Sequence, residues 1–372
     1  MIVSLSGFVR QWAVIQSDAM TAFLRVGGSG RYILGPEVSR FEASLASAWP
    51  ITHAVATGSG LDALEISLRC LDVGPGDRVL TTPLSAFATT LAVLRVGAIP
   101  VFSDVDPSGL INLELCREVC ARDASIRALL VVHLYGHAAG LDALEDLQRD
   151  FNLCVVEDCA QSVNATWRGR PTGTVGQVSA TSFYPTKNLG ALGDGGAILT
   201  NSAEHANRAR SLRHYGQTQT YMHDEIGLNS RLDEAHAAIL RDALLPRLTE
   251  WTEKRAATAA RYFEGIDNRW LELPVVPAGS RSVWHLFPVL VSSGHRSSFV
   301  RHLQDRGVMT GMHYPRLIPE QPALIRSGNF QVATELTRAK QFADSEVSLP
   351  IHSFLTNEEI EHVIASINDW SP

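Results

Sequence analysis

The chain has 372 residues, of which 45% are hydrophobic, and carries a formal net charge of −7 at pH 7. A chain of this length can bury a large core and exceeds what one small domain needs, so we expect two domains. The negative charge excludes the basic surface that binds nucleic acid or an anionic membrane. The composition therefore favours small-molecule partners and further copies of the same chain.

The N-terminal twelve residues lack the basic region, apolar run and small-residue cleavage site of a signal peptide, which predicts a cytoplasmic protein. The uncharged stretch of residues 79–94 is interrupted by Pro83 and is shorter than the ~20 apolar residues that span a bilayer. Five cysteines without metal-type spacing predict reduced thiols. His133 and His137 have the spacing of a zinc helix, but Gly136 between them follows a strand, so we expect no metal site.

Short apolar or β-branched segments predict seven strands, which lie at residues 54–57, 78–81, 99–103, 128–133, 153–157, 180–183 and 196–200. Helical patterns separate several of them, at residues 61–70, 86–95 and 141–151. This alternation predicts an α/β fold with a mostly parallel seven-stranded sheet.

A long helical stretch over residues 233–265 ends the alternation, and Pro246 is expected to kink or split it. Beyond it, a strand at 284–291 and helices at 298–307 and 357–367 predict a smaller α/β unit. We therefore predict a large domain over residues 1–245, including the N-terminal segment, and a small C-terminal domain over 246–372.

Lys187 is one of only three lysines in the chain, whereas arginine occurs 29 times. It lies in the segment Ser-Phe-Tyr-Pro-Thr-Lys-Asn-Leu-Gly-Ala-Leu-Gly-Asp-Gly-Gly. Arginine stays protonated and is a poor nucleophile, so a lysine kept at this position indicates a need for a deprotonatable primary amine.

Asp158 follows the predicted strand Leu-Cys-Val-Val-Glu and so lies at the carboxyl edge of the sheet, where open α/β sheets bind ligands. A carboxylate and an isolated lysine at strand ends suit pyridoxal phosphate chemistry. The lysine forms a Schiff base, and the aspartate keeps the pyridine nitrogen protonated so that the ring acts as an electron sink.

A candidate phosphate-binding turn lies in Ala-Thr-Gly-Ser-Gly-Leu-Asp-Ala-Leu, where the backbone amides of Gly58, Ser59 and Gly60 precede a predicted helix. The same residues form Gly-x-Gly-x-x-Ala, a weak dinucleotide fingerprint, so a nicotinamide oxidoreductase stays open as an alternative. Against it, the motif comes after more than fifty residues and leaves the Lys187 segment unexplained.

Several motifs in the same order make the chain resemble the DegT/DnrJ/StrS family of pyridoxal-phosphate-dependent nucleotide-sugar aminotransferases. They include Gly-Arg-Tyr-Ile-Leu-Gly-Pro-Glu-Val, Thr-Gly-Ser-Gly, Glu-Asp-Cys-Ala-Gln-Ser, Ser-Phe-Tyr-Pro-Thr-Lys, Gly-Leu-Asn-Ser-Arg and Gly-Met-His-Tyr-Pro, between residues 30 and 367. The resemblance implies the pyridoxal-phosphate-dependent aspartate aminotransferase fold, type I.

The resemblance also implies roles for individual residues. Lys187 would be the Schiff-base lysine and proton shuttle, Asp158 would pair with the pyridine nitrogen, and Gln161 would hydrogen-bond the ring hydroxyl. The remaining assignments are phosphate binding by Gly58, Ser59 and Ser182, a phosphate contact from the neighbouring subunit by Asn229, and substrate binding by His313, Tyr314 and Tyr184. A shared site of this kind requires a homodimer.

The chain departs from the family pattern at Ser85-Ala86-Phe87, because the family places an aromatic residue directly after a threonine to stack on the cofactor ring. Phe87 is our candidate for stacking, with packing in the core as the alternative. A second departure is Leu317-Ile318-Pro319, where many relatives have Pro-x-His. That loop therefore predicts little about substrate contacts.

The reaction implied by the resemblance is ping-pong transamination. L-glutamate would convert the cofactor to pyridoxamine phosphate, which then aminates a keto-6-deoxy sugar on a nucleoside diphosphate, dTDP in our expectation, for antibiotic or surface-polysaccharide biosynthesis. Residues 212–216, Leu-Arg-His-Tyr-Gly, resemble the Arg-x-Tyr-Gly form of relatives that aminate C3, so we expect C3.

Several alternatives to this reaction remain. They are a 4-aminotransferase acting on a dTDP-4-keto-6-deoxy sugar, the oxidoreductase, a non-catalytic regulatory protein and a dehydratase. Intact Lys187, Asp158 and Gln161 argue against the last two.

Overall fold

The computed structural model describes residues 1–372 and contains thirteen α-helices and sixteen strands. The helices are α1 (Phe8–Ser29), α2 (Pro36–Ala48), α3 (Gly60–Cys70), α4 (Phe87–Arg95), α5 (Leu113–Arg122), α6 (Leu141–Phe151), α7 (Ala203–Leu212), α8 (Glu234–Ile239), α9 (Leu248–Gly265), α10 (Arg296–Asp305), α11 (Pro322–Ser327), α12 (Thr337–Ser345) and α13 (Asn357–Asn368).

The strands are β1 (His53–Thr57), β2 (Arg78–Thr81), β3 (Ile99–Phe102), β4 (Ile126–Val132), β5 (Cys154–Asp158), β6 (Thr166–Trp167), β7 (Arg170–Pro171), β8 (Val178–Ser182), β9 (Gly196–Thr200), β10 (Gln217–Gln219), β11 (Met222–His223), β12 (Leu271–Glu272), β13 (Ser280–Arg281), β14 (Phe287–Val291), β15 (Gln331–Val332) and β16 (Glu346–Leu349). The predicted α/β class and all seven predicted sheet strands are confirmed, with ends shifted by at most two residues.

The main sheet has eight strands in the order β1-β9-β8-β5-β4-β2-β3-β15. Only β9 runs against its neighbours, pairing antiparallel with both β1 and β8. The eighth strand, absent from the sequence prediction of seven, is the two-residue β15, which pairs parallel to β3. Sequence periodicity could not reveal it, because two residues are too few to show a period.

The central strands are apolar throughout because helices cover both faces of a mostly parallel sheet. Every residue of β5 and β8 is buried, and β4 has a single exposed residue, Arg127. A second apolar cluster joins α1, α2 and the α8 region to the β1–β9 edge. None of the helices is both long enough and apolar enough to cross a membrane.

The long helical stretch after residue 233 is split as Pro246 predicts. α8 passes into a π-turn at Leu240–Leu244 and a 3₁₀ turn at Leu245–Arg247 before α9 begins. The proposed domain boundary at residue 245 falls in this break. A third apolar cluster packs α9, α10 and α13 on the small sheet β12-β14-β16, and also includes Val3. The division into two domains stays a prediction.

Buried polar groups fix several element ends. The Glu234 carboxylate accepts the amides of Gly35, Glu37 and Val38 at 2.8–2.9 Å and so caps the N-terminus of α2. Thr356 begins α13 through a capping box with Glu359. All five cysteines are buried and unpaired.

Candidate active site

The two residues singled out by the sequence lie near one edge of the main sheet. Asp158 is the last residue of β5, and Lys187 lies in the loop that follows the neighbouring strand β8. The Lys187 amide donates to the carbonyl of Tyr184 at 2.8 Å, which closes the Tyr-Pro-Thr-Lys turn. Each side chain shifts the pKa of the other by its charge, so the fold places them within electrostatic reach.

Asp158 is almost fully buried, and each carboxylate oxygen accepts one hydrogen bond. Oδ2 accepts the Thr89 hydroxyl at 3.0 Å, and Oδ1 accepts the Ala160 amide at 3.0 Å. Burial raises the pKa of Asp158, whereas these two hydrogen bonds and the charge of Lys187 lower it. Asp158 is therefore a buried acid that a cationic group would help to ionise.

The pKa of Lys187 is lowered to about 8, mainly because burial disfavours the ammonium, while the charge of Asp158 opposes the shift. The Lys187 side chain lines a solvent-connected cavity that it shares with Asn188, His285 and His313. A lysine with this pKa is neutral in about one tenth of the molecules at pH 7, far more than an ordinary lysine. It can act as a nucleophile and as a proton carrier.

Gln161 is oriented by the backbone. Its Oε1 accepts the Tyr135 amide at 2.7 Å, which turns Nε2 toward the Tyr314 hydroxyl at 3.4 Å. The Nε2 group is therefore a donor, as the predicted contact with a ring hydroxyl requires. Burial raises the pKa of Tyr314, and the nearby Asp158 adds to this shift, so the phenol is neutral at physiological pH.

The predicted phosphate-binding turn forms the start of α3. The Gly58 amide donates to the Ser230 hydroxyl at 3.0 Å, whereas the amides of Ser59 and Gly60 have no acceptor within the chain. Ser182 faces this turn so closely that a Cβ at Gly60 would lie 2.7 Å from the Ser182 Cβ. Two free amides, a serine hydroxyl and a helix N-terminus form a suitable cradle for a phosphate dianion.

His313 lies in the same cavity as Lys187 and is held by β16. Its amide donates to Glu346 Oε2 at 2.6 Å, and its Nδ1 contacts the Ser348 hydroxyl at 2.9 Å. Burial and the charge of Lys187 lower the pKa of His313 to about 4, so the imidazole is neutral at pH 7. The next residue, Tyr314, contacts Gln161. His313 and Tyr314 therefore both lie beside residues that are predicted to contact the cofactor.

Three predicted residues lie outside this group. Tyr184 is half exposed and does not line the cavity. Phe87 packs on the cluster of Phe102, Ile318 and Leu324, a contact that accounts for it as a core residue. Asn229 is exposed, and its side chain makes no hydrogen bond within its own chain. The assignment of Phe87 to ring stacking and the assignment of Asn229 to phosphate binding stay predictions.

Sequence reasoning missed two contributors. Thr89 lies on α4, four residues after Ser85, which precedes the helix, and the two hydroxyls are 2.9 Å apart. Polar residues at this spacing around the start of a predicted helix were an available signal for the group that contacts Asp158. Glu346 lies far along the chain, on β16, and no sequence pattern connects it to His313.

The comparisons with known proteins identify the family of this chain. Residues 14–368 match the family model of the DegT/DnrJ/EryC1/StrS aminotransferases. The chain belongs to this family. It is 42% identical over 360 residues to a dTDP-3-amino-3,4,6-trideoxy-alpha-D-glucose transaminase from Streptomyces venezuelae, covering 96% of this chain and 93% of that one.

Solved structures of DegT/DnrJ/EryC1/StrS aminotransferases share the fold. DesV from S. venezuelae superposes with a TM-score of 0.94 at 40% identity, covering 99% of this chain and 98% of that one. NtdA from Bacillus subtilis, solved with bound pyridoxamine phosphate, gives a TM-score of 0.86 at 28% identity, with 94% and 80% covered. The predicted family, fold type and pyridoxal-phosphate-dependent aminotransferase class are confirmed. Family membership also decides against the dinucleotide interpretation of the Gly-x-Gly-x-x-Ala sequence.

The residues of this chain fit pyridoxal phosphate in three respects. The cradle of Ser59, Gly60 and Ser182 offers donors to a phosphate, the Gln161 amide offers a donor to a ring hydroxyl, and Asp158 is a buried carboxylate that a protonated ring nitrogen would stabilise. When bound, the cofactor supplies an electron sink for the carbon that exchanges its amino group.

Proposed function

We propose that this DegT/DnrJ/EryC1/StrS aminotransferase transfers the amino group of L-glutamate to C3 of a dTDP-linked 3-keto-6-deoxy sugar. Lys187 carries the chemistry: it has a lowered pKa, lines the cavity and lies within electrostatic reach of Asp158. The neutral amine would take a proton from the donor carbon and return one to the sugar carbon. Asp158 would hold the ring nitrogen protonated, and Gln161 would orient the ring.

The names of the relatives support the C3 position. Besides the S. venezuelae enzyme, a dTDP-3-amino-3,6-dideoxy-alpha-D-galactopyranose transaminase from Aneurinibacillus thermoaerophilus is 38% identical over 357 residues, covering 95% of this chain and 96% of that one. The segment Leu-Arg-His-Tyr-Gly at 212–216 also supports amination at C3. Amination at C4 is the alternative within the family.

A paired substrate panel tests the position. Purified enzyme with L-glutamate should aminate dTDP-3-keto-6-deoxy sugars and leave the matched 4-keto sugars unchanged, as followed by mass spectrometry and NMR of the products. Lys187→Ala should lose all transfer, whereas Lys340→Ala should not, because Lys340 is exposed and pairs only with Glu320 and Asp344. Amination of the 4-keto sugar alone would contradict the proposal.

Some relatives have regulatory names, among them a pleiotropic regulatory protein from Geobacillus stearothermophilus at 34% identity. A regulatory protein has no use for a lysine with a lowered pKa beside a buried carboxylate. The assay of the Lys187 variant therefore also tests a non-catalytic role.

We further propose that the active enzyme is a homodimer in which Asn229 completes the site of the partner. Asn229 is exposed just after the β10–β11 hairpin, where Tyr221 and Ile226 expose 88% and 91% of their surface. The outer face of α1 also exposes apolar side chains, among them Val9, Phe23 and Leu24. Apolar exposure of this extent is typical of an association surface.

Mixed dimers test this arrangement. Lys187→Ala and Asn229→Ala should each be inactive alone, but an equimolar mixture that exchanges subunits should regain about one quarter of wild-type activity, since half the dimers carry one intact site. Sedimentation analysis gives the oligomeric state. No recovery after proven subunit exchange would show that Asn229 acts in its own subunit, and an active Asn229→Ala variant would show that it has no role.

A further inference from the structure

The cavity beside Lys187 contains a second cation, Arg255 of α9. Three histidines also line it, His285, His313 and His352, but no aspartate or glutamate does. The described aminotransferase chemistry uses Lys187 and leaves Arg255 without a role. A cavity with cations and no acids is suited to an anion.

Arg255 is held rigidly by one nitrogen. Its Nη1 donates to the carbonyl of Ile351 at 2.7 Å and of Trp284 at 3.1 Å, with the His285 carbonyl at 3.4 Å. Its Nε and Nη2 make no hydrogen bond within the chain, and the side chain lines the cavity. The free edge of the guanidinium therefore presents two parallel N–H donors, the geometry that binds a carboxylate through two hydrogen bonds.

No carboxylate lies within ion-pair distance of Arg255 in the chain, in contrast to most buried or half-buried arginines here, such as Arg213 with Glu42 and Arg208 with Glu225. Burial lowers the pKa of Arg255 to about 10, whereas the acidic partners of Arg208 raise its pKa. Burial lowers the pKa of His285 and His352, and the charge of Arg255 adds to both shifts. The charge is thus uncompensated inside the protein, which is unfavourable unless a ligand anion neutralises it.

We propose that Arg255 binds a carboxylate of the amino-acid donor and is a specificity-determining residue for the amino-donor half of the reaction. This inference rests on the proposed transamination, in which the donor and the sugar nucleotide use the cavity in turn. A nucleotide diphosphate is the other available anion. One free guanidinium edge matches a single planar carboxylate better than a diphosphate, which spreads its charge over two phosphoryl groups and needs more donors.

The test separates the two half-reactions of the holoenzyme. Arg255→Gln and Arg255→Lys are compared with Lys254→Gln, a control on the neighbouring exposed position whose lysine pairs with Glu250. Stopped-flow absorbance follows the cofactor form with L-glutamate alone and, after complete conversion, with the keto-sugar alone. Calorimetry with glutarate, which carries carboxylates but no amino group, measures binding without catalysis.

Arg255→Gln should weaken glutarate binding and raise the glutamate concentration for half-maximal conversion by at least about 30-fold, while the sugar half-reaction changes less than about threefold. Arg255→Lys should give glutarate and glutamate affinities between those of the wild type and Arg255→Gln, because an ammonium keeps the charge but lacks the forked donor edge. Lys254→Gln should match the wild type.

Unchanged glutarate affinity in either variant would overturn the proposal, as would equal losses in both half-reactions. A defect confined to the sugar half-reaction would assign Arg255 to the diphosphate and also overturn it. Arg255→Lys decides the matter if Arg255→Gln does not fold. If the wild type uses another amino acid as donor, the proposal of L-glutamate as the donor is wrong. The role of Arg255 is then tested by the same comparison with that amino acid.

Discussion

The Thr89 hydroxyl donates to Asp158 Oδ2 at 3.0 Å and contacts the Ser85 hydroxyl at 2.9 Å, which connects α4 to the carboxylate at the end of β5. The contact matters because burial raises the pKa of Asp158 and the Thr89 bond is one of the few influences that lower it. The carboxylate is thus kept available for a cation by a helix that the sequence motifs do not mark.

Thr89→Val should weaken cofactor binding by about 10- to 100-fold, since loss of one hydrogen bond to a charged group corresponds to roughly 1.5–3 kcal/mol. The dissociation constant of pyridoxal phosphate, measured by fluorescence titration of the apoprotein, provides the check. Thr90→Val is the matched control: the Thr90 hydroxyl is buried without a partner, so its removal should be neutral or stabilising. Equal effects of the two changes would show that Thr89 acts only through packing.

The lowered pKa of Lys187 predicts the pH dependence of cofactor capture. Only the neutral amine attacks, so the rate at which the apoprotein develops visible cofactor absorbance should rise with pH and reach its midpoint near pH 8. Because the charge of Asp158 raises the pKa of Lys187, Asp158→Asn should move the midpoint to lower pH. A midpoint near 10.5, the ordinary value of lysine, would contradict burial of the amine in solution.

Gly60→Ala should disturb the phosphate cradle. The added Cβ would lie 2.7 Å from the Ser182 Cβ, a distance that neither β-carbon tolerates, so the turn or β8 must shift. We expect cofactor affinity to fall by at least about tenfold while the fold persists. Gly28→Ala, within α1 and with open space around the new methyl group, should bind the cofactor normally and be more stable by about 0.5–1 kcal/mol. Equilibrium dialysis and thermal unfolding measure the two effects.

Glu346 predicts a pH-dependent stability. Burial raises its pKa from 4.5 to about 7, against opposing hydrogen bonds from Ser348 and the His313 amide. A folded-state pKa above the unfolded value means that the folded state binds the proton more tightly. The stabilisation is complete below pH 4.5 and is lost as the pH rises through about 7, by roughly 3 kcal/mol in total.

Glu346→Gln should remove this dependence, because the amide does not titrate. Unfolding free energies of the apoprotein between pH 5 and 7.5 should then fall less steeply in the variant than in the wild type. Glu361→Gln, at an exposed position that pairs with Arg261, should keep the wild-type slope. Identical slopes for wild type and Glu346→Gln would refute the raised pKa.

The chemistry of this protein could be predicted from its sequence to the extent that it depends on local patterns. Strand runs and helix periods determined the order of βα units, because each element buries one continuous face or stripe. The scarcity of lysine and the end of a buried strand were enough to indicate Lys187 and Asp158. Motif order then indicated the DegT/DnrJ/EryC1/StrS family, which the 14–368 match confirms.

Tertiary structure decided whatever depends on residues far apart in the chain. Gly58 donates its amide to Ser230, which leaves Ser59 and Gly60 as the free donors of the cradle. Phe87 packs on the cluster of Phe102, Ile318 and Leu324, whose members lie far apart in the chain. Glu346 meets His313 across 33 residues. Hydrogen bonding and burial act through space, so a residue's partners and its pKa arise only when the fold brings distant segments together.

The same reason separates Lys187 from Arg255. One of three lysines beside 29 arginines can be noticed in a list of residues, whereas one arginine among 29 cannot. Only the packing of α9 against residues 284–285 and 351 shows that Arg255 has a free donor edge, no acidic partner and a place in the Lys187 cavity. The sequence by itself indicated the amine that we propose reacts, and the tertiary structure decided which charges surround it.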